Sequence, residues 1–114
     1  MSDEKYVVSV DKAKQEVHIT FSGMLEPEDA EKFFGAYGNI TNGLPKEDYT
    51  VVVNCKNINI FKPEVIPYVR QGFIEYNKYK YIQVIESTST LVKMQFRRIG
   101  KELILPEKRS VVKD

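Results

Sequence analysis

A chain of 114 residues has room for one domain, and it is long enough to bury roughly two-thirds of the surface its unfolded form exposes. Hydrophobic residues at 42% and charged residues at 29% give a globular balance, and 17 basic against 16 acidic side chains leave a net charge of +1, so no overall field draws the chain to nucleic acid or to an anionic membrane. The single cysteine, Cys55, excludes an internal disulfide framework, and with the lone His18 it supplies too few soft ligands for a structural zinc site.

The opening residues 1–5 are charged and no apolar core of leader length follows, so the chain reads without a secretory leader. No run of about 18 apolar residues offers a membrane span, and a cytoplasmic protein is the expectation. Residues 6–10 and 17–21 are β-rich runs divided by the polar stretch 11–16, the pattern of an opening hairpin. In the second run Val17, Ile19 and Phe21 face one side and His18, Thr20 and Ser22 the other, which implies a sheet not fully sandwiched between helical layers. Gly23 closes that strand.

Pro27 reads as a first-turn helix residue, and Glu26, Glu28, Asp29 and Glu31 set negative charge against the positive end of the helix dipole. Ala30, Phe33, Phe34, Tyr37 and Ile40 follow as a core-facing stripe. Gly35 and Gly38 interrupt it at about 1 kcal/mol each relative to alanine, which suggests either close packing or a loosened helix end. Residues 42–48 form the clearest loop, and 49–54, with three consecutive valines, read as a central strand. After Pro63 a second helix carries Ile66, Val69, Phe73 and Tyr76 on one face, beginning either irregularly or at Pro67. Residues 81–86 read as a fourth strand. The run 87–90 offers N-caps for a third helix with Val92, Phe96, Ile99 and Leu103 inward. The tail 106–114 is weakly specified, either a mobile extension or a short edge strand.

The order ββαβαβα predicts a single α/β domain with a mixed, mostly parallel four-stranded sheet, or a five-stranded one if the tail pairs, and three helices. In order and spacing, residues 5–105 resemble the STAS domains, the superfamily of anti-sigma factor antagonists and sulfate-transporter tails, together with STAS-like uncharacterised proteins. The resemblance implies a bacterial regulatory or protein-binding module. In the antagonist branch a serine at a helix N-terminus is phosphorylated. The corresponding residues 59–64 here carry no hydroxyl, so that switch transfers to no residue of this chain.

Adjacent parallel strands would bring Asn54, Cys55, Lys56, Asn57 and Asn59 from one strand–helix junction beside Glu86, Ser87, Thr88, Ser89 and Thr90 from the next. Helix N-termini there could hold a small anion with Lys56 or Lys62, and Asn54, Lys56, Asn57, Ser87, Thr88 and Ser89 are the candidate ligand-binding set. The alternative is that asparagines make turns and the serine–threonine run caps a helix. Cys55 lacks a visible catalytic partner and reads as a packed thiol, and His18 as a strand residue on an exposed face. The acidic set at the first helix has an electrostatic reason of its own. Lys93, Arg97, Arg98 and Lys101 read as a solvated face or a contact for an acidic partner or RNA. Tyr76, Tyr79 and Tyr81 crowd one helix-to-strand connection, with Tyr68 nearby on the helix, and form a candidate interface, since tyrosine suits protein contacts. The expectation is a non-catalytic module that binds a protein or self-associates, with an anion receptor as the alternative and no cofactor, metal, nucleic acid or membrane.

Overall fold

The structure, a computed structural model, describes residues 5–103 and 109–112. Strands β1 (Tyr6–Asp11) and β2 (Glu16–Gly23) precede helix α1 (Pro27–Thr41), a 3-10 turn (Lys46–Asp48) and strand β3 (Thr50–Ile58). A second 3-10 turn (Pro63–Val65) leads into α2 (Ile66–Tyr76), followed by β4 (Tyr81–Ile85), α3 (Thr90–Leu103) and β5 (Arg109–Val112). The strands lie side by side in chain order, β1 antiparallel to β2 and the rest parallel. The tail thus adds the edge strand, while 106–108 and 113–114 lie outside the described residues.

Chain-order parallel strands joined by right-handed crossovers put every crossover helix on the same face of a sheet. Burial follows that rule. Val17 and Ile19 of β2, Val51, Val53 and Cys55 of β3, and Ile82 and Val84 of β4 are at most 2% exposed. They sit in register as Val17–Val51–Ile82 and Ile19–Val53–Val84. The other face carries Val7, His18, Thr20, Asn54, Tyr81 and Gln83, with Val7 64% and Tyr81 49% exposed. Val52 is buried even there, between His18 and Gln83 in register, because β3 is the central strand.

The helix signals act as elementary chemistry requires. Asp29 Oδ2 accepts the Glu26 N–H at 2.7 Å, which satisfies one open donor at the start of α1. Pro63 opens the 3-10 turn, so Pro67 falls in the first turn of α2, where a missing N–H costs no helical bond. On α3, Val92, Phe96 and Ile99 are buried; the side chain of Leu103 lies outside the described ones.

Three expectations change. The inward stripe of α1 is Ala30, Phe33, Tyr37 and Thr41, while Ile40 is 43% exposed, because the helix continues to Thr41 and that residue takes the inward position. Gly35 and Gly38 do not serve close packing, since a Cβ at either would meet nothing within 4 Å. Strand β3 does not stop at Asn54 but runs to Ile58, held by the long β2, with Ser22 opposite Asn57 and Gly23 opposite Ile58.

Candidate functional site

The two junctions expected to share a rim do so, for Asn54 stands opposite Ile85 in the β3–β4 pairing. Their residues are differently employed from the expectation. Asn54, Lys56 and Asn57 belong to a strand, not a loop. A register shift sets Cys55 and Lys56 together against Phe21, and Asn54 Oδ1 accepts the Lys56 N–H at 3.0 Å, so this segment is a β-bulge. Cys55 continues the inward alternation of Val51 and Val53, and the extra residue shifts the phase beyond it, so that Ile58 is buried and Asn57 exposed.

Across the rim, Glu86 and Ser87 are buried. The Arg97 guanidinium grips the Glu86 carboxylate with two bonds, Nε to Oε2 and the terminal nitrogen to Oε1 at 2.7 Å. Ser87 Oγ accepts the Ser89 N–H at 3.0 Å, and Ser89 Oγ faces the Val92 N–H at 3.5 Å, so the serines brace the start of α3. Gln95 clamps the Phe61 backbone, its Oε1 accepting the N–H at 2.8 Å and its amide nitrogen donating to the carbonyl at 2.9 Å. That clamp draws the segment after β3 onto α3. Around it three large apolar side chains face outward: Ile60 at 44%, Leu91 at 67% and Met94 at 56% exposure. Sequence periodicity holds the signal for two of them, since Leu91 and Met94 fall off the Val92–Phe96–Ile99 stripe.

Burial pushes the Cys55 thiol up to about 12, which makes it a poor nucleophile. His18 bonds Glu16 at 2.9 Å on the open face of the sheet. Glu26 pairs with Lys62, and Asp29 lies 3.4 Å from Lys5 Nζ. Among the described residues no group of three His, Cys, Asp or Glu side chains gathers to hold a metal, and no helix is long and apolar enough to cross a membrane.

The tyrosine cluster divides. Tyr76 and Tyr79 are core residues, 4% and 0% exposed, and only Tyr81 is on the surface, with Lys80 Nζ 5.5 Å from its ring centre. The reason is a polar tie that the sequence does not announce: the Tyr79 and Tyr37 hydroxyls lie 2.6 Å apart, and Tyr37 donates to Glu75 Oε2 at 3.1 Å. Glu75 also receives Lys78 at 3.0 Å and has Lys46 at 3.7 Å. Tyr37, Glu75, Lys46 and Lys78 line a polar crevice of about 350 Å³ beside Gly38 and Thr41. Burial, helped by the neighbouring tyrosine and Glu75, raises the Tyr37 hydroxyl far above its usual range; burial pushes Tyr79 up to about 12.

No family model matches the chain, and no curated protein matches it. Among solved structures, an uncharacterised protein of the DUF3478 family with a SpoIIAA-like fold, from Shewanella loihica, superposes with a TM-score of 0.71 at 13% identity, covering 100% of this chain and 92% of that one. Five strands in chain order, an opening antiparallel pair and three helices on one face are therefore the SpoIIAA-like, STAS-like fold that the element order implied.

Proposed function

We infer that the protein is a non-catalytic interaction module whose partner docks on the first two turns of α3 and the segment after β3. The observation that carries it is the exposure of Ile60, Leu91 and Met94 around a rim whose polar groups are already engaged with one another. Exposed Arg98 lies one helical turn beyond Met94 and Lys101 follows, so the partner presents an apolar ridge flanked by acidic side chains. The anion alternative is weaker at this rim, because the buried Glu86 carboxylate stands there with Arg97 and Ser89 Oγ already faces the Val92 N–H. A catalytic role for Cys55 is disfavoured by its burial and raised pKa.

The test is affinity capture with the wild type and a Leu91→Glu/Met94→Glu variant side by side. A partner held stoichiometrically by the wild type and by Tyr81→Ala, but lost by the double variant at an unchanged melting temperature, supports the assignment. A partner retained by the double variant contradicts it.

A further inference from the structure

Strand β1 is one edge of the sheet, and the backbone groups of an antiparallel strand face its neighbour and the outside by turns. The Ser22 N–H donates to the Lys5 carbonyl at 2.9 Å, and from there the register runs unbroken, Tyr6 opposite Phe21 to Asp11 opposite Glu16. Residues 7, 9 and 11 therefore turn their N–H and C=O toward β2, while those of Val8 and Val10 point outward. Among the described residues no strand lies beyond them.

Proteins guard such an edge with a proline, a bulge, a central lysine or a very short strand. The far edge follows that rule, since β5 is four residues long and starts at Arg109. β1 does not. It runs for six residues with no proline and no bulge, and charge stands only at Asp11 and at Lys5 just before it. Its core-facing side chains also lack a full cover: Tyr6, Val8 and Val10 are half-buried, whereas Val17 and Ile19 on the neighbouring β2 are 0% exposed.

We propose that β1 pairs antiparallel with β1 of a second copy of this chain, about a two-fold axis through Val8. The two Val8 residues exchange both backbone bonds, with Tyr6 across from Val10 and Val7 across from Ser9, so each half-buried apolar stripe covers the other. Lys5, which keeps its bond to the Met24 carbonyl and lies 3.4 Å from Asp29, comes opposite Asp11 of the second copy. Parallel pairing would set lysine beside lysine and aspartate beside aspartate. A seam of one strand pair is small, so the dimer is concentration-dependent. Helix α3 joins β4 to β5 at the far edge, so the α3 rim stays open and failure of either assignment leaves the other standing.

Sedimentation equilibrium of the full chain, from micromolar to millimolar concentration, compares the wild type, Val8→Lys, Val8→Glu and an equal mixture of the two variants. Val8 faces its own copy at the axis, so either charge alone meets its like, and only the mixture sets opposite charges together. The expected result is a monomer–dimer equilibrium for the wild type, weakened at least tenfold in each variant alone and recovered to within threefold in the mixture. Amide hydrogen exchange gives a second readout: the wild-type Val8 N–H slows at least threefold from dilute to concentrated samples, and the Val7 N–H, already turned to β2, changes less. A wild type monomeric at millimolar concentration, a dimer that both variants leave intact, or a mixture no better than either variant overturns the proposal. If neither charged variant folds, the wild-type exchange decides, and a dimer whose Val8 N–H exchanges as fast as the monomer's overturns it.

Discussion

The rim where β4 meets α3 and the seam between α1 and α2 are opposites in how they use polar groups. At the rim Glu86 is tied to Arg97, Ser87 to Ser89 and Gln95 to Phe61, and the apolar side chains of Ile60, Leu91 and Met94 stand exposed beside them. Between α1 and α2 the lining is almost wholly apolar, and a polar tie across the two helices runs from Tyr37 to Glu75. An exposed apolar surface calls for another surface, whereas an apolar lining already inside the fold does not.

The largest expected effect breaks the seam itself. Phe73 is 1% exposed and meets the rings of Phe96 at 4.8 Å and Tyr76 at 6.1 Å, so Phe73→Ala should cost about 3–5 kcal/mol in urea unfolding. A loss under 1 kcal/mol would mean that the helical layer is not packed as described. Next, Tyr37→Phe strips partners from both Tyr79 and Glu75 and should cost about 1–3 kcal/mol in urea unfolding. An unchanged urea midpoint would mean that the tie between Tyr37, Tyr79 and Glu75 is not formed.

The buried thiol gives a pH signature. The folded protein holds the Cys55 proton up to about 12, while the unfolded chain releases it near 9, so above pH 9 the unfolded state binds fewer protons and stability falls. The slope is about 1.4 kcal/mol per pH unit between pH 9 and 12, with the tyrosines adding to it above pH 10. Urea unfolding of wild type and Cys55→Ala at pH 9 and 10 isolates the thiol: the variant should lose less over that interval, and parallel losses would contradict its burial. The smallest effect is a gain. Gly38→Ala places a methyl group in open space at the edge of the polar crevice and should stabilise α1 by up to about 1 kcal/mol, read as a higher urea midpoint. A loss would show that the crevice needs the bare backbone.

Much of the fold was legible because it rests on local periodicity. The alternation of β2, the valines of β3 and the Val92–Phe96–Ile99 stripe each name their buried face, and Pro67 announces its own helix start. Contacts between distant elements were not legible. The end of β3 depends on the length of its partner β2, and Asn54 looks like a loop residue until its side chain is seen closing a bulge. The tyrosines around Tyr79 suggested a surface because the sequence does not show that Tyr37, 42 residues earlier, awaits one of them.

The most direct measurement of where a partner sits is photo-crosslinking from single positions, with the reactive side chain at Leu91 or Met94 on the rim and at Thr20 or Tyr81 on the open face of the sheet. The rim positions should yield one common protein adduct and the sheet positions none. Adducts concentrated at Thr20 and Tyr81, with Leu91 and Met94 silent, would place recognition on the sheet and contradict the assignment to α3.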